Sequence, residues 1–167
     1  MLNRRQIALG TLAGAAVLAA AGTGAIRFMG GRATAATETF EVTKTPEEWR
    51  KLLSPEQYAV LREEDTEQPF TSPLNDEKRK GTFVCAGCDL PLFASETKFD
   101  SGTGWPSFYA PIEGAVRVSQ DWSFGMQRDE AHCRRCGGHL GHVFNDGPKP
   151  TGLRYCMNGV ALNFVPA

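Results

Sequence analysis

Five cysteines and three histidines hold most of the chemical potential of this 167-residue chain. Four of the cysteines form two pairs of identical spacing, Cys85-Ala86-Gly87-Cys88 and Cys133-Arg134-Arg135-Cys136. In such a pair the intervening backbone turns both thiolates toward one ion, and two pairs complete a tetrahedral shell for zinc. Gly87 and Gly137 offer the conformational freedom that these turns need. Two disulfides, or a redox-active Cys-x-x-Cys, are the competing readings. Two knuckles of the same spacing are more than either requires, which favours zinc. Four thiolates leave no open coordination position, so this metal is expected to be structural and to tie distant parts of the chain together.

The fifth cysteine, Cys156, lies in Gly152-Leu153-Arg154-Tyr155-Cys156-Met157-Asn158. Taken alone, such a thiol is as readily an inert core residue as a nucleophile. Arg154 can supply a positive charge that favours the thiolate, and Asn158 can supply a hydrogen bond from two residues away. All three histidines fall between positions 132 and 142. His139 and His142, three apart, share one side of a turn or, with a bend at Gly141, both face one pocket, which suits a general acid and its helper. His132 adjoins Cys133 and either lines the metal site or substitutes as a ligand.

The elements that must position these residues are short. Thr45-Pro46-Glu47-Glu48 combines a capping hydroxyl, a helix-start proline and a carboxylate three positions after the cap, and Ser54-Pro55-Glu56-Gln57 repeats the signal. Two helices are therefore expected, the second carrying Tyr58 and Leu61 on one side and ending near Asp65. Beyond Gly81 the texture changes to short apolar or alternating runs between Gly, Pro and Asp clusters. Strands are expected at Gly81 to Val84, Gly114 to Val118, Ser123 to Gln127 and Gly159 to Val165. The predicted fold is mainly β: a short N-terminal helical lead-in followed by an antiparallel β domain that carries the four-cysteine zinc site.

Hydrophobic residues make up 41% of the chain, enough for one core at this length and hardly for two. The net charge of −1 conceals an asymmetry, because residues 1–35 hold Arg4, Arg5, Arg27 and Arg32 and no acidic residue. The remainder, residues 36–167, is clearly acidic, which argues against a nucleic-acid partner. Asn3-Arg4-Arg5-Gln6, an apolar run from Ile7 to Ile26 and Ala33-Thr34-Ala35-Ala36 follow the order of an export signal with a small-residue cleavage site. The paired arginines resemble a twin-arginine signal, with Asn3 and Ile7 as approximate matches. An exported, periplasmic domain over 36–167 is expected, the membrane being met only through the signal segment. A retained membrane anchor is the alternative, weakened by Gly10, Gly14, Gly22 and Gly24.

The runs CAGCDLPLF, FDSGTGWPSF, HCRRCGGHLGHVFNDGP and TGLRYCMNGVALNF resemble the successive signatures of the methionine sulfoxide reductase B family, in the family's order, from about Thr45 to Phe164. The resemblance implies two antiparallel sheets, a zinc at the end opposite the active site, and reduction of methionine R-sulfoxide in peptides or proteins. It places Cys156 as nucleophile with His139, His142 and Asn158 around it. Trp105 becomes the wall that receives the substrate methyl group, and Asp146 and Arg154 become residues that shape the pocket. Many members carry a second, resolving cysteine where this chain has Thr103. Threonine forms no disulfide, so the oxidised Cys156 is expected to be regenerated by an external thiol, thioredoxin-like or other, acting on a monomer. Two other readings stand beside this one: a non-enzymatic zinc module that holds a peptide, and a different thiol enzyme such as a peroxidase.

Overall fold

In a computed structural model the described residues are 39–122, 125 and 127–167. The expected export signal lies outside them. Among the described residues no helix is long and apolar enough to cross a membrane.

Both capping boxes form. α1 spans Pro46–Leu52 and α2 spans Pro55–Glu63. The Thr45 hydroxyl accepts from the Glu48 amide while the Glu48 carboxylate accepts from the Thr45 amide, and Ser54 and Gln57 repeat the exchange. Each cap stabilises its helix by about 1 kcal/mol, which matters for helices too short to persist alone. α2 stops at Glu63 because Glu64 takes a left-handed conformation, φ 59. The pair buries Trp49, Leu53, Val60 and Leu61, with Tyr58 half-buried against them.

The rest is antiparallel sheet. β1 (Gly81–Cys85), β2 (Pro91–Ala94) and β9 (Leu162–Pro166) make a three-stranded sheet in the order β2-β1-β9. The second sheet comprises β3 (Lys98–Phe99), β4 (Ser107–Phe108), β5 (Val116–Asp121), β6 (Arg128–Cys133), β7 (His139–Phe144) and β8 (Arg154–Met157). Its strand order is β3-β4-β8-β7-β6-β5. Phe83 of β1 and Phe93 of β2 pack on Phe108 of β4 at ring separations of 4.9 and 4.3 Å, which locks the two sheets together through fully buried aromatic area.

Several expected strands shift. The run expected from Gly114 begins at Val116 and continues to Asp121, and the run expected from Gly159 opens as a 3-10 turn and becomes strand only at Leu162. The strand expected at Ser123 to Gln127 rests partly on Ser123, Phe124 and Met126, which lie outside the described residues. Gly125 there has φ 71, and regular pairing starts at Arg128. β6, β7 and β8 carry several of the candidate site residues, yet no apolar alternation announces them. In β6 the residues Arg128, Glu130 and His132 share one face, and part-buried polar pairs, Arg128 with Asp121 and Glu130 with His139, stand there where apolar contacts are usual.

Candidate active site and metal centre

The four knuckle sulfurs lie within 4.8 Å of one another. Cys85 Sγ is 3.7 Å from Cys136 Sγ and Cys88 Sγ is 3.5 Å from Cys133 Sγ. A disulfide requires about 2.05 Å, so none joins them. The edge of a tetrahedron built on Zn–S bonds of about 2.3 Å is about 3.8 Å, close to what these sulfurs adopt. Both knuckles have the same backbone. The first cysteine's amide donates to the carbonyl five residues on, from Cys85 to Leu90 and from Cys133 to Gly138. Its carbonyl accepts from the amide four residues on, Asp89 and Gly137 respectively, at 2.8 Å each. That fourth residue is left-handed in both, Asp89 at φ 57 and Gly137 at φ 67. Gly137 therefore has the role expected of it, but its counterpart in the first knuckle is Asp89 and not Gly87. The thiols also polarise one another. Hydrogen bonding with Cys133 drives the Cys85 thiol far up, whereas hydrogen bonding with Cys136 holds Cys133 far down. Such a set fits a cation that removes the protons altogether.

Toward the other end of β6, a strand about 17 Å long at about 3.4 Å per residue, a cavity of about 140 Å³ is lined by Thr66, Trp105, Arg128, Gly141, His142, Phe144, Cys156 and Asn158. A cavity of roughly 150 Å³ can hold a benzene-sized guest, so this one has room for a methylsulfinyl group.

A bulge in β7 creates the histidine pair. Ala131 pairs with Gly141 and the next residue of β6, His132, pairs with His139, so Leu140 is the extra residue. In a regular strand positions three apart face opposite ways; the bulge brings His139 and His142 to one face, ring centroids 5.4 Å apart. The Leu140 carbonyl accepts twice from Asn158, from its backbone amide at 2.8 Å and from its side-chain amide at 3.3 Å. Gly141, at φ 149, lies so close to β8 that a Cβ there would stand 2.1 Å from the Cys156 carbonyl oxygen. Its lack of a side chain lets β8 approach.

Each histidine leans on a carboxylate. Glu130 Oε1 is 2.8 Å from His139 Nδ1, and Asp121 Oδ2 is 3.1 Å from His142 Nε2. The His139 hydrogen bond lowers the Glu130 pKa despite partial burial. His139 is buried, and its Nε2 has no hydrogen-bond partner among the described residues. Burial pushes the His142 pKa below 6.5, with the Asp121 hydrogen bond opposing and the neighbouring charges of Arg128 and His139 reinforcing. Arg128 also pairs with Asp121 at 2.6 Å.

Cys156, on β8, is registered opposite His142 on one side and Ser107 on the other. The Thr103 hydroxyl lies 3.7 Å from its sulfur. Arg154 forks onto Asp146 at 2.8 and 2.9 Å and covers the Phe144 ring at 4.2 Å. The Asp146 hydrogen bond raises the Arg154 pKa, burial opposes it, and Coulomb interaction with Cys156 adds to the rise. Neither Arg154 nor the exposed Asp146 lines the cavity; they brace Phe144, which does. Trp105 donates from its indole nitrogen to the Glu67 carbonyl at 3.1 Å, which orients its ring as a wall. Cys156, His142, Trp105 and Asn158 thus converge on the cavity, with His139 behind His142, while His132 edges against Phe40 near the metal knuckles.

Glu67, Thr66, Asp121, Arg128, Glu130 and Phe144 also shape the site, although motif reading did not single them out. Glu67 is the least obvious. Its carboxylate accepts from the Gly159 and Val160 amides, its own amide donates to Asn158 Oδ1, and burial pushes its pKa up.

The SelR domain family matches residues 53–166. A peptide methionine sulfoxide reductase MsrB of Pseudomonas putida strain W619 is 61% identical over 127 residues, covering 75% of this chain and 96% of its own length. The chain belongs to the methionine sulfoxide reductase B family. Relatives of the same name from Leptospira interrogans and Methanosarcina barkeri are 56% and 58% identical. They cover 75% and 74% of this chain and 96% and 87% of their own lengths. The family is one of oxidoreductases, and the two-sheet fold and the grouping of the four cysteines agree with what membership implies.

Proposed function

We propose that this chain reduces methionine R-sulfoxide in peptides and proteins with Cys156 as nucleophile and His142 as proton donor. The observation that carries the reading is the convergence of a free thiol, an imidazole registered opposite it and an indole wall on one small cavity.

The sulfoxide sulfur carries partial positive charge, and its oxygen leaves only when protonated. The Cys156 thiolate attacks that sulfur while His142, held by Asp121 and backed by His139, protonates the oxygen. The attack joins the Cys156 sulfur to the methionine sulfur, which now carries a hydroxyl. That hydroxyl then passes to Cys156 as the S–S bond and the methionine S–O bond both break, so methionine departs as the thioether and Cys156 is left as a sulfenic acid. An external thiol then displaces it as water to give a mixed disulfide, and a second thiol releases Cys156. Trp105 gives the methyl group a flat apolar face, so that only one epimer presents its oxygen to His142. A second hollow of about 360 Å³ shares Arg128 and Phe144 with the cavity, which supports a substrate with flanking residues.

Cys85, Cys88, Cys133 and Cys136 would hold a zinc ion, whose chemistry is to bind four thiolates and cross-link β1 with the β6–β7 turn. Residues 1–35 would direct export, so the reducing thiol must be supplied outside the cytoplasm. Incubation with the two resolved epimers of a methionine sulfoxide peptide and dithiothreitol tests the activity. Loss of the R epimer alone is expected, and consumption of hydrogen peroxide with both epimers intact would overturn it.

A further inference from the structure

Thr103 occupies the loop between β3 and β4, and behind it runs a chain of hydroxyls. Thr103 Oγ1 lies 3.7 Å from Cys156 Sγ and 2.8 Å from Ser101 Oγ. Ser101 Oγ lies 2.7 Å from Ser107 Oγ, and Ser107 donates to the Trp105 carbonyl at 3.1 Å. Ser107 is fully buried and is the residue paired with Cys156 across β4 and β8.

Each hydroxyl has one proton to give. A carbonyl only accepts, so the Ser107 proton points at Trp105. Ser101 must then donate to Ser107, and Thr103 to Ser101, which leaves the Thr103 oxygen as acceptor for the Cys156 S–H. A thiolate reverses this order, because the sulfur can then only accept. Thr103 turns to donate to it. Were Ser101 to keep pointing at Ser107, the Thr103 and Ser101 oxygens would meet at 2.8 Å with no proton between them. Ser101 therefore turns to Thr103, and Ser107 to Ser101. The contact given up is the one at the far end, on the Trp105 carbonyl, and a charge-assisted bond to sulfur is gained.

We propose that Thr103, Ser101 and Ser107 form a reversible hydroxyl relay that stabilises the Cys156 thiolate. Thr103 touches the reacting sulfur and is a catalytic residue; Ser101 and Ser107 act through it and are positioning residues. The thiolate is both the attacking group on the sulfoxide and the leaving group when the second thiol attacks the mixed disulfide, so the relay serves both halves of turnover.

The inference rests on Cys156 being the nucleophile, but its test does not use sulfoxide. The rate of iodoacetamide alkylation of Cys156 is followed by site-resolved mass spectrometry from pH 6 to pH 10. Thr103→Val is expected to slow alkylation at neutral pH by about tenfold, as loss of one charge-assisted hydrogen bond implies, and to recover the rate at higher pH. Thr103→Ser restores most of the neutral-pH rate. Ser101→Ala, in a partly exposed loop, shifts the profile in the same direction by less, and it keeps the inference testable should Thr103→Val fold poorly. A Thr103→Val profile superimposed on wild type would overturn the relay. So would a Ser101→Ala profile unchanged from wild type, since Thr103 would then act alone. Sulfoxide turnover that survives loss of Cys156 would instead refute the nucleophile assignment and leave the alkylation result intact.

Discussion

His142 and Cys156 stand directly opposite each other on neighbouring antiparallel strands, β7 and β8. Side chains so paired have their Cβ atoms about 5 Å apart, so the backbone ladder itself sets the distance between the proposed proton donor and the proposed nucleophile. A loop-borne acid would have no such constraint.

His142→Gln should lower kcat by about 10²–10⁴-fold, the usual worth of a positioned acid. It should also remove the limb of the pH–rate profile that lies below pH 6.5, since burial lowers the His142 pKa. Stability carries the same sign. The unfolded ring takes a proton near pH 6.5 before the folded ring does, so wild type loses stability as pH falls through that value. The variant, lacking this proton uptake, should lose less between pH 7 and 5 in urea titrations, and equal losses would contradict the assignment.

Trp105→Ala removes the apolar wall while leaving the sulfur and the imidazole in place. A rise in KM of about 10- to 50-fold is expected, equivalent to about 1.4–2.3 kcal/mol of aromatic contact. Steady-state kinetics with a sulfoxide peptide would check this, and an unchanged KM would reduce Trp105 to a scaffold residue.

Gly141→Ala places a methyl group 2.1 Å from the Cys156 carbonyl oxygen and 3.0 Å from Met157 Cα, both backbone atoms. β8 must shift or the bulge must open. A loss of about 2–4 kcal/mol is expected by denaturant unfolding, with activity falling even where the variant remains folded.

Removing the proposed metal should act on folding before chemistry. Cys133→Ser leaves three ligands and a mismatched hydroxyl, and a drop in melting temperature of about 10–20 °C is expected from a loss of about 3–5 kcal/mol. Zinc analysis of the purified wild-type protein should give stoichiometric metal; its absence would contradict the proposed metal.

Much of this architecture was legible locally. Thr45–Glu48 and Ser54–Gln57 announced helices because capping boxes depend only on neighbours in sequence, and both form. The knuckles were legible for the same reason, down to the left-handed residue after Cys136, although the first pair uses Asp89 where glycine was expected. The carboxylates escaped notice because their roles depend on register. Glu130 reaches His139 and Asp121 reaches His142 only once β5, β6 and β7 are aligned around the Leu140 bulge. One signal was present: Arg128, Glu130 and His132 alternate as a strand with a polar face would. Glu67 had none, since its partners Asn158, Gly159 and Val160 lie far along the chain.

In the proposed cycle the sulfoxide oxygen passes to Cys156 and stays there until an external thiol removes it. Mixing the enzyme with a methionine R-sulfoxide peptide in the absence of thiol, trapping with dimedone and mapping by mass spectrometry tests it directly. One methionine formed per enzyme and a dimedone adduct on Cys156, with no disulfide from that residue, are expected. Methionine formed while Cys156 stays unmodified, or an internal disulfide from Cys156, would contradict it.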